Sequence, residues 1–220
     1  MYLHLLIKFG KSSYLPKFRS HGQFRMGSFK SYRASENGEI GDLNEGAHRV
    51  GRHHDVTISK LNPDTNDYEQ IAYSSDVVSR HFNEIYEGSR IFCMYYAIVE
   101  VQGAIQLSDV IDVNLLNDFE YDHVVIIHDL KTFYERLDSY FDKTGIAYRR
   151  GTVEYIDFSN GIDSLTPFKK DIVYSHQQEF RLCIQGISGD KAHDVEIGSL
   201  SDISFECNVK EIQQLKIRCQ

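Results

Sequence analysis

The 220-residue sequence has no apolar run approaching the ~20 residues that a membrane-spanning helix needs. Its first apolar stretch, Tyr2–Phe9, lacks the basic flank and the small-residue cleavage site that are typical of a secretory signal. With only three prolines, the sequence also lacks the composition of a disordered chain or a long rigid linker. We therefore expect one domain spanning residues 1–220, located in the cytoplasm and without a membrane partner.

Motifs that identify the common nucleotide-binding and zinc-binding folds are absent as well. Neither GxGxxG nor GxxxxGK[ST] occurs, which excludes the usual Rossmann and P-loop signatures. The four cysteines form no CxxC pair, which excludes zinc-knuckle spacing. Because a framework of disulfides is typical of shorter secreted chains, we expect reduced thiols.

Acidic residues are missing from the first 35 positions. This segment carries seven cations, although the whole chain has a formal net charge of −8. The overall charge argues against a general nucleic-acid coat protein, whereas the basic segment indicates either a local phosphate-binding face or ordinary solvated surface charge. The cations are Lys8, Lys11, Lys17, Arg19, Arg25, Lys30 and Arg33.

The hydrophobic pattern predicts a strand-rich α+β domain with mixed or antiparallel sheets and two or three helices. The nearly continuous apolar segment Ile91–Val101 predicts a central strand buried on both faces. A turn sequence between Val56–Leu61 and Tyr68–Tyr73 predicts a hairpin, and an apolar stripe over Asp129–Lys143 predicts a helix. Further strands are expected at Tyr2–Phe9, His123–His128, Thr152–Phe158, Glu179–Gln185, Val195–Ile197 and Ile212–Ile217. Within Gln23–Tyr32 we expect a short strand that turns at Gly27-Ser28. A short helix is expected from Ser12 or Ser13 to Gly22, and a functional or mobile loop over residues 36–55.

The most informative polar cluster stands at the start of a predicted apolar strand, in the segment Ser175–Ile184. Gln177 and Glu179 are two residues apart, so they point to the same side where the backbone is extended. An amide and a carboxylate converging on a cleft can orient a nucleophile and stabilise developing positive charge. The alternative is a surface ion pair between Glu179 and Arg181, which have the same spacing.

A second candidate is the glycine-containing basic segment Gly22–Arg33. Its glycines allow close backbone approach to a ligand, and Arg25, Arg33, Ser28 and Tyr32 are the residue types that contact phosphate and ribose. The alternative is a basic hairpin followed by a solvated loop.

A third candidate is the following loop, which is rich in side chains able to bind a metal ion. No spacing such as HExxH fixes them, so the metal-site prediction is weak and we assign no metal ligand. These side chains are Asp42, Glu45, His48, His53, His54 and Asp55.

The first two segments together resemble a group of uncharacterised bacterial and phage proteins of similar length. The resemblance is carried by Ile7–Gly10, by the sequences FRMGSFKSYRASE and IGDLNEG, and by PFKKDIVYSHQQEFR at Pro167–Arg181. Their layout also resembles, remotely, the ADP-ribosyltransferase superfamily. In that superfamily an early strand ends in His or Arg, and a catalytic Glu stands at the mouth of a later strand, with Gln or Glu two residues before it.

The resemblance implies an ADP-ribosyltransferase-like domain that consumes NAD, without a metal ion. Glu179 would be the catalytic carboxylate and Gln177 the amide that precedes it. Lys8 replaces the superfamily's His or Arg, and Tyr95 or Tyr96 replaces its central Ser-Thr-Ser motif. The residues implied to bind NAD are Lys8, Arg25, Tyr32, Arg33 and Tyr95.

A transferase of this kind implies a macromolecular acceptor, with nucleic acid among the candidates. A role as toxin or phage-defence effector further implies an antitoxin or chaperone partner. Two alternatives remain open from the residues alone: a metal-dependent nuclease built on the loop after residue 41, and a non-enzymatic module that binds nucleic acid or protein through the basic segment.

Overall fold

The structure is a computed structural model and describes residues 2–35, 42–100, 104–111 and 121–218. It confirms a strand-rich α+β fold with mainly antiparallel sheets. Four α-helices and three 3₁₀ helices occur in these residues, more than the two or three helices expected. Within the same residues, no helix is both long enough and apolar enough to span a bilayer.

Fifteen strands and four α-helices make up the described fold. The strands are β1 Tyr2–Gly10, β2 Gln23–Ser28, β3 Ala47–Leu61, β4 Tyr68–Phe82, β5 Arg90–Glu100, β6 Ala104–Gln106, β7 His123–Ile127, β8 Tyr148–Thr152, β9 Glu154–Ile156, β10 Ile162–Asp163, β11 Lys169–Asp171, β12 Glu179–Ile184, β13 His193–Glu196, β14 Ser204–Asn208 and β15 Lys216–Arg218. The helices are α1 Leu15–His21, α2 Phe29–Arg33, α3 Glu84–Glu87 and α4 Leu130–Thr144, and the 3₁₀ helices are Leu107–Asp109, Ile172–Gln177 and Val209–Gln214.

Strand β5 is the centre of the main sheet, as its continuous apolar sequence predicts. One edge of β5 pairs with β12, and its other edge is shared by β1 and β2. Helices α1 and α4 cover one face of this sheet, over a core that includes Phe18, Phe92 and Phe133. The other face carries a second core around Ile7 and Tyr95.

The shared edge of β5 opens a gap in the sheet. Strand β1 pairs with β5 only as far as Ile7 opposite Tyr95, and β2 joins β5 only from Gly27 opposite Ile91. Between these two pairings, Cys93 faces neither strand, and the carbonyl oxygen of Cys93 accepts a hydrogen bond from the Lys8 side chain instead. The divergence of β1 and β2 therefore creates a cleft beside the middle of β5.

Helix α4 follows the sequence prediction closely. The side chain of Asp129 caps it by accepting a hydrogen bond from the backbone N–H of Thr132 at 3.1 Å. Gly145 ends the helix in a left-handed conformation with φ of 66°.

One predicted boundary in the first half of the chain is wrong, and another is confirmed only in part. The loop expected over residues 36–55 is strand from Ala47 onward, because β3 continues the hairpin along its whole length. The segment Gln23–Tyr32 is a strand as far as Ser28, where the turn is expected. The hydroxyl of Ser28 then accepts a hydrogen bond from the N–H of Ser31 and starts α2.

Two terminal details also differ from expectation. Neither Ser12 nor Ser13 caps the first helix, whose N-cap is Tyr14. The backbone N–H and the hydroxyl of Ser12 both bind Asp122 instead. Ile212 lies in a 3₁₀ helix that Asn208 caps, so of the predicted strand Ile212–Ile217 only Lys216 and Ile217 belong to β15. Val101 and the loop residues 36–41 lie outside the described residues.

Candidate active site

The described structure brings four buried, charged side chains together beside the cleft. We call Glu45, Lys170, Glu179 and Arg181 the charged cluster, and each of the four is less than a tenth exposed. Glu179 is the first residue of β12, Arg181 lies two positions along the same strand, and Lys170 comes from β11. Because the cluster contains two carboxylates and two cations, its charges balance.

Glu179 is held by both cations of the charged cluster. One carboxylate oxygen accepts a hydrogen bond from Lys170 Nζ at 2.7 Å, and the other accepts one from Arg181 Nε at 2.7 Å. Burial by itself raises the pKa of Glu179, but Arg181 and Lys170 together bring it well below the ordinary range. Glu179 is therefore a carboxylate across the physiological pH range.

Gln177 joins Glu179 through Lys170. The Gln177 side-chain oxygen accepts a hydrogen bond from Lys170 Nζ at 2.6 Å, next to the bond that Lys170 makes to Glu179. Gln177 ends a 3₁₀ helix rather than lying in β12, and Gln178 turns the chain with a left-handed φ of 40°. The predicted convergence of these two side chains is present, although this turn rather than strand alternation produces it.

The ion pair between Glu179 and Arg181 is also present, but it is buried rather than on the surface. Arg181 binds Glu45 as well, with two bonds of 2.7 and 2.8 Å, and donates to the carbonyl oxygen of Pro167 at 2.7 Å. All of these contacts lie beneath the cleft. The simple surface-pair interpretation therefore does not describe Glu179.

A cavity of about 220 Å³ lies over the charged cluster. The side chain of Gln177 lines it together with all four members of the cluster, and tyrosines and apolar groups form the rest of its wall. The predicted residues Lys8, Tyr32, Tyr95, Gln177 and Glu179 thus meet in one cavity. Its other lining residues are Ile7, Phe9, Ile91, Cys93, Met94 and Tyr121.

Lys8 enters this cavity at the gap between β1 and β2, beside the middle of β5. Its ammonium group donates to the carbonyl oxygen of Cys93 at 2.8 Å and lies 4.6 Å from the centre of the Phe92 ring. Burial lowers the pKa of Lys8, while Cys93 and Glu179 act in the opposite direction. At this gap Lys8 therefore supplies a donor to a carbonyl oxygen of β5 that neither β1 nor β2 reaches.

A second, larger cavity of about 660 Å³ adjoins the first. Lys8 and Tyr32 line both cavities, and Lys17 and Arg25 line the second. Part of the basic N-terminal segment therefore faces this cavity, as a phosphate-binding face requires. The Arg25 guanidinium is 2.8 Å from Asp194, so it is partly neutralised there.

Arg33, the remaining residue implied to bind NAD, lines neither cavity. Its guanidinium donates to the backbone oxygen of Glu45 at 2.8 Å and to Glu87 at 2.7 Å, and it lies over the Phe82 ring. These contacts connect the C-terminal residue of α2 to Glu45, the first member of the charged cluster along the chain. Arg33 therefore helps to position the residues beside the site, and its guanidinium does not contact the ligand.

The side chains considered for a metal site are dispersed. Glu45 is engaged by Arg181, whereas His53, His54 and Asp55 lie exposed on β3. Among the described residues, no group of three or more His, Cys, Asp or Glu side chains is close enough to hold a metal ion. The described residues therefore do not support the alternative of a metal-dependent nuclease.

Lys170 and Tyr155 belong to the site but were not recognised from the sequence. The Tyr155 hydroxyl oxygen accepts a hydrogen bond from the backbone N–H of Glu179 at 2.8 Å, at the mouth of β12. Lys170 lies within the PFKKDIVYSHQQEFR segment, seven residues before Gln177, and this position was the signal that could have identified it.

No protein-family model, curated protein or solved structure matches this chain.

Proposed function

We propose that this protein is an NAD-consuming ADP-ribosyltransferase that modifies a macromolecule and acts as a toxin or phage-defence effector. One observation carries the proposal: Glu179, hydrogen-bonded to two cations, lines a cavity that Gln177, Lys8, Tyr32 and Tyr95 also line. An enzyme that cleaves the nicotinamide–ribose bond needs a fixed negative charge near the ribose, because that carbon becomes cationic in the transition state.

The hydrogen bonds of Glu179 leave room for a substrate. A carboxylate offers about four acceptor positions on its two oxygens. Lys170 and Arg181 each occupy one position on a different oxygen. The Cys93 thiol takes a third position, so one position remains for a ribose hydroxyl, while the two cations prevent the carboxylate from rotating.

The two adjoining cavities suit the two ends of NAD. The smaller one, with Tyr95 and Tyr32 in its wall, suits the nicotinamide and its ribose, on which aromatic rings can stack. The larger one, with Lys17 and Arg25, suits the phosphates and the adenosine. Lys8 lines both cavities, so it lies where the first phosphate meets the nicotinamide ribose.

The reaction follows from these positions. The bond between the ribose C1′ and the nicotinamide nitrogen breaks, and its electron pair neutralises the pyridinium ring, which leaves. Glu179 stabilises the cationic ribose by its charge. A nucleophile of the acceptor then bonds to C1′ and releases its proton to solvent. By analogy with other single electrostatic groups, loss of Glu179 lowers the rate by roughly 10²–10³-fold.

The proposal is tested by incubating the purified protein with cell extract and NAD labelled in the adenosine half. Wild type is expected to transfer label to protein, RNA or DNA, and Glu179→Gln to lose nearly all transfer. Glu154→Gln is the matched control, because that carboxylate is exposed on the neighbouring strand β9. Equal labelling by wild type and Glu179→Gln would contradict the catalytic assignment, and circular dichroism of each variant checks that it is folded.

A further inference from the structure

The hairpin of β3 and β4 is a long ribbon that lies largely in solvent. Each strand has 15 residues, so at about 3.3 Å per residue the ribbon reaches roughly 50 Å. We call this hairpin the ribbon. Its outer half comprises residues 55–75, including the turn, and its inner half, next to the domain, comprises residues 47–54 and 76–82. A small core around Val50 and Phe158 anchors the inner half.

The outer half of the ribbon exposes large apolar side chains on a two-stranded element. Two strands alone are marginally stable in water, and a third strand or a packed face is normally needed. The exposed fractions of these side chains run from 42% to 74%. The side chains are Ile58, Leu61, Tyr68, Ile71 and Tyr73.

Both outer edges of the ribbon are largely unpaired among the described residues. Strand β10 pairs with only Arg49 and Val50 of β3, whereas β4 pairs with β3 alone in the part of the chain that the structure describes. Native proteins protect such edges with lysine or proline, and β4 contains neither. Strand β3, by contrast, contains Lys60 and, at Asp55, a residue with a left-handed φ of 54°, so β4 offers the less protected edge.

The two halves of the ribbon carry opposite charge. The outer half, residues 55–75, has four acids and one lysine. The inner half, residues 47–54 and 76–82, has three arginines, four histidines and one acid. Two ribbons lying antiparallel would therefore place the acidic half of one beside the basic half of the other, and this arrangement has two-fold symmetry.

We propose that a second copy of this chain pairs with the free edge of β4. Full overlap of two antiparallel β4 strands centres on Ser75, which is exposed. The product is a four-stranded arm, β3–β4–β4–β3, in which each outer half gains a neighbouring strand. Three interactions stabilise this dimer: backbone hydrogen bonds between the two β4 edges, burial of the apolar side chains, and attraction between the acidic and basic halves.

Sedimentation equilibrium of the whole chain tests the proposal. Wild type is expected to form a dimer in the micromolar range, weakened by added salt. Ser75→Lys places two like charges opposite each other at the two-fold axis and is expected to weaken the dimer about fivefold. Ser75→Thr is the control, because it keeps a neutral hydroxyl at the same position.

A cysteine at the axis provides a second readout. With oxidised glutathione as the oxidant, Ser75→Cys is expected to form a disulfide-linked dimer quickly. Ser59→Cys, which lies on the far strand β3, is expected to remain monomeric over the same time. A wild-type protein that is monomeric throughout would overturn the proposal and would leave the apolar side chains for a different partner. A dimer in which Ser75→Cys links no faster than Ser59→Cys would overturn it too, because the copies would then meet elsewhere.

Discussion

Arg181 holds Glu45 by two parallel hydrogen bonds of 2.7 and 2.8 Å, although 136 residues separate them in the sequence. The pair is buried under the cleft that contains Glu179. Its bidentate geometry fixes the guanidinium plane, which in turn fixes the Arg181 Nε that binds Glu179. Glu45 thus acts on the proposed catalytic carboxylate through Arg181, without touching it.

Glu45→Gln should therefore destabilise the protein strongly. Loss of one partner leaves the other charge buried without full compensation, which typically costs 3–5 kcal/mol, so we expect a loss of about that size in the free energy of unfolding. Urea denaturation measures it. Glu196→Gln, at an exposed position on β13, serves as the control and should change stability by less than about 0.5 kcal/mol. A loss in Glu45→Gln no larger than in this control would contradict a buried pair.

Lys170→Ala should affect both the stability and the ionisation of the site. Lys170 binds Gln177 and Glu179, so its removal leaves Glu179 with Arg181 as the remaining cation in contact. The pKa of Glu179 should rise, and stability should fall by several kcal/mol. Carboxyl NMR titration follows the pKa. The neighbouring Lys169→Ala, whose side chain is not part of the charged cluster, should leave the titration of Glu179 unchanged.

Asp42 gives a prediction for pH dependence. Burial, together with the nearby Glu45, raises the pKa of Asp42 to about 6 from its ordinary 3.8. The folded state therefore binds the Asp42 proton more tightly than the unfolded state, so this group costs stability as pH rises from about 4 to above 6. Asp42→Asn should remove that cost. Its stability relative to wild type should increase by roughly 2–3 kcal/mol between pH 4 and pH 7, and a difference independent of pH would contradict the raised pKa.

Lys8→Met separates the structural role of Lys8 from its role in binding. The carbonyl oxygen of Cys93 loses the side-chain donor that it has in the gap of the sheet, which should cost about 1–3 kcal/mol of stability. Binding of NAD, measured by isothermal titration, should weaken as well. Lys11→Met, on an exposed residue just after β1, should change neither quantity. Unchanged affinity in folded Lys8→Met would remove Lys8 from the binding site.

The sequence was sufficient where local chemistry decides the structure. The strand β5, the hairpin turn and helix α4 were all predictable, because apolar periodicity and capping residues act over a few positions. It failed over residues 47–55, where the polar composition of β3 resembles a loop. That segment is a strand because it pairs with β4, and this pairing is not visible in its own residues.

The candidate site was predictable only in part for the same reason. Gln177 and Glu179 could be found because they are close in sequence and stand at the mouth of an apolar strand. Glu45 contacts Arg181 from a loop that is distant in the sequence, and the sequence alone marks its carboxylate as a possible metal ligand. Arg33 had the residue type of a phosphate ligand, but Glu87 and the backbone of Glu45 occupy its guanidinium.

Release of nicotinamide from NAD by the purified protein tests the central claim most directly, because it requires no knowledge of the acceptor. Chromatography would compare wild type, Glu179→Gln and the control Glu154→Gln at equal concentration of folded protein. We predict release by wild type and by Glu154→Gln, and a rate roughly 10²–10³-fold lower for Glu179→Gln. Release by Glu179→Gln at the wild-type rate, or no release by any of the three proteins, with or without cell extract, would contradict the assignment of Glu179 to the cleavage of NAD.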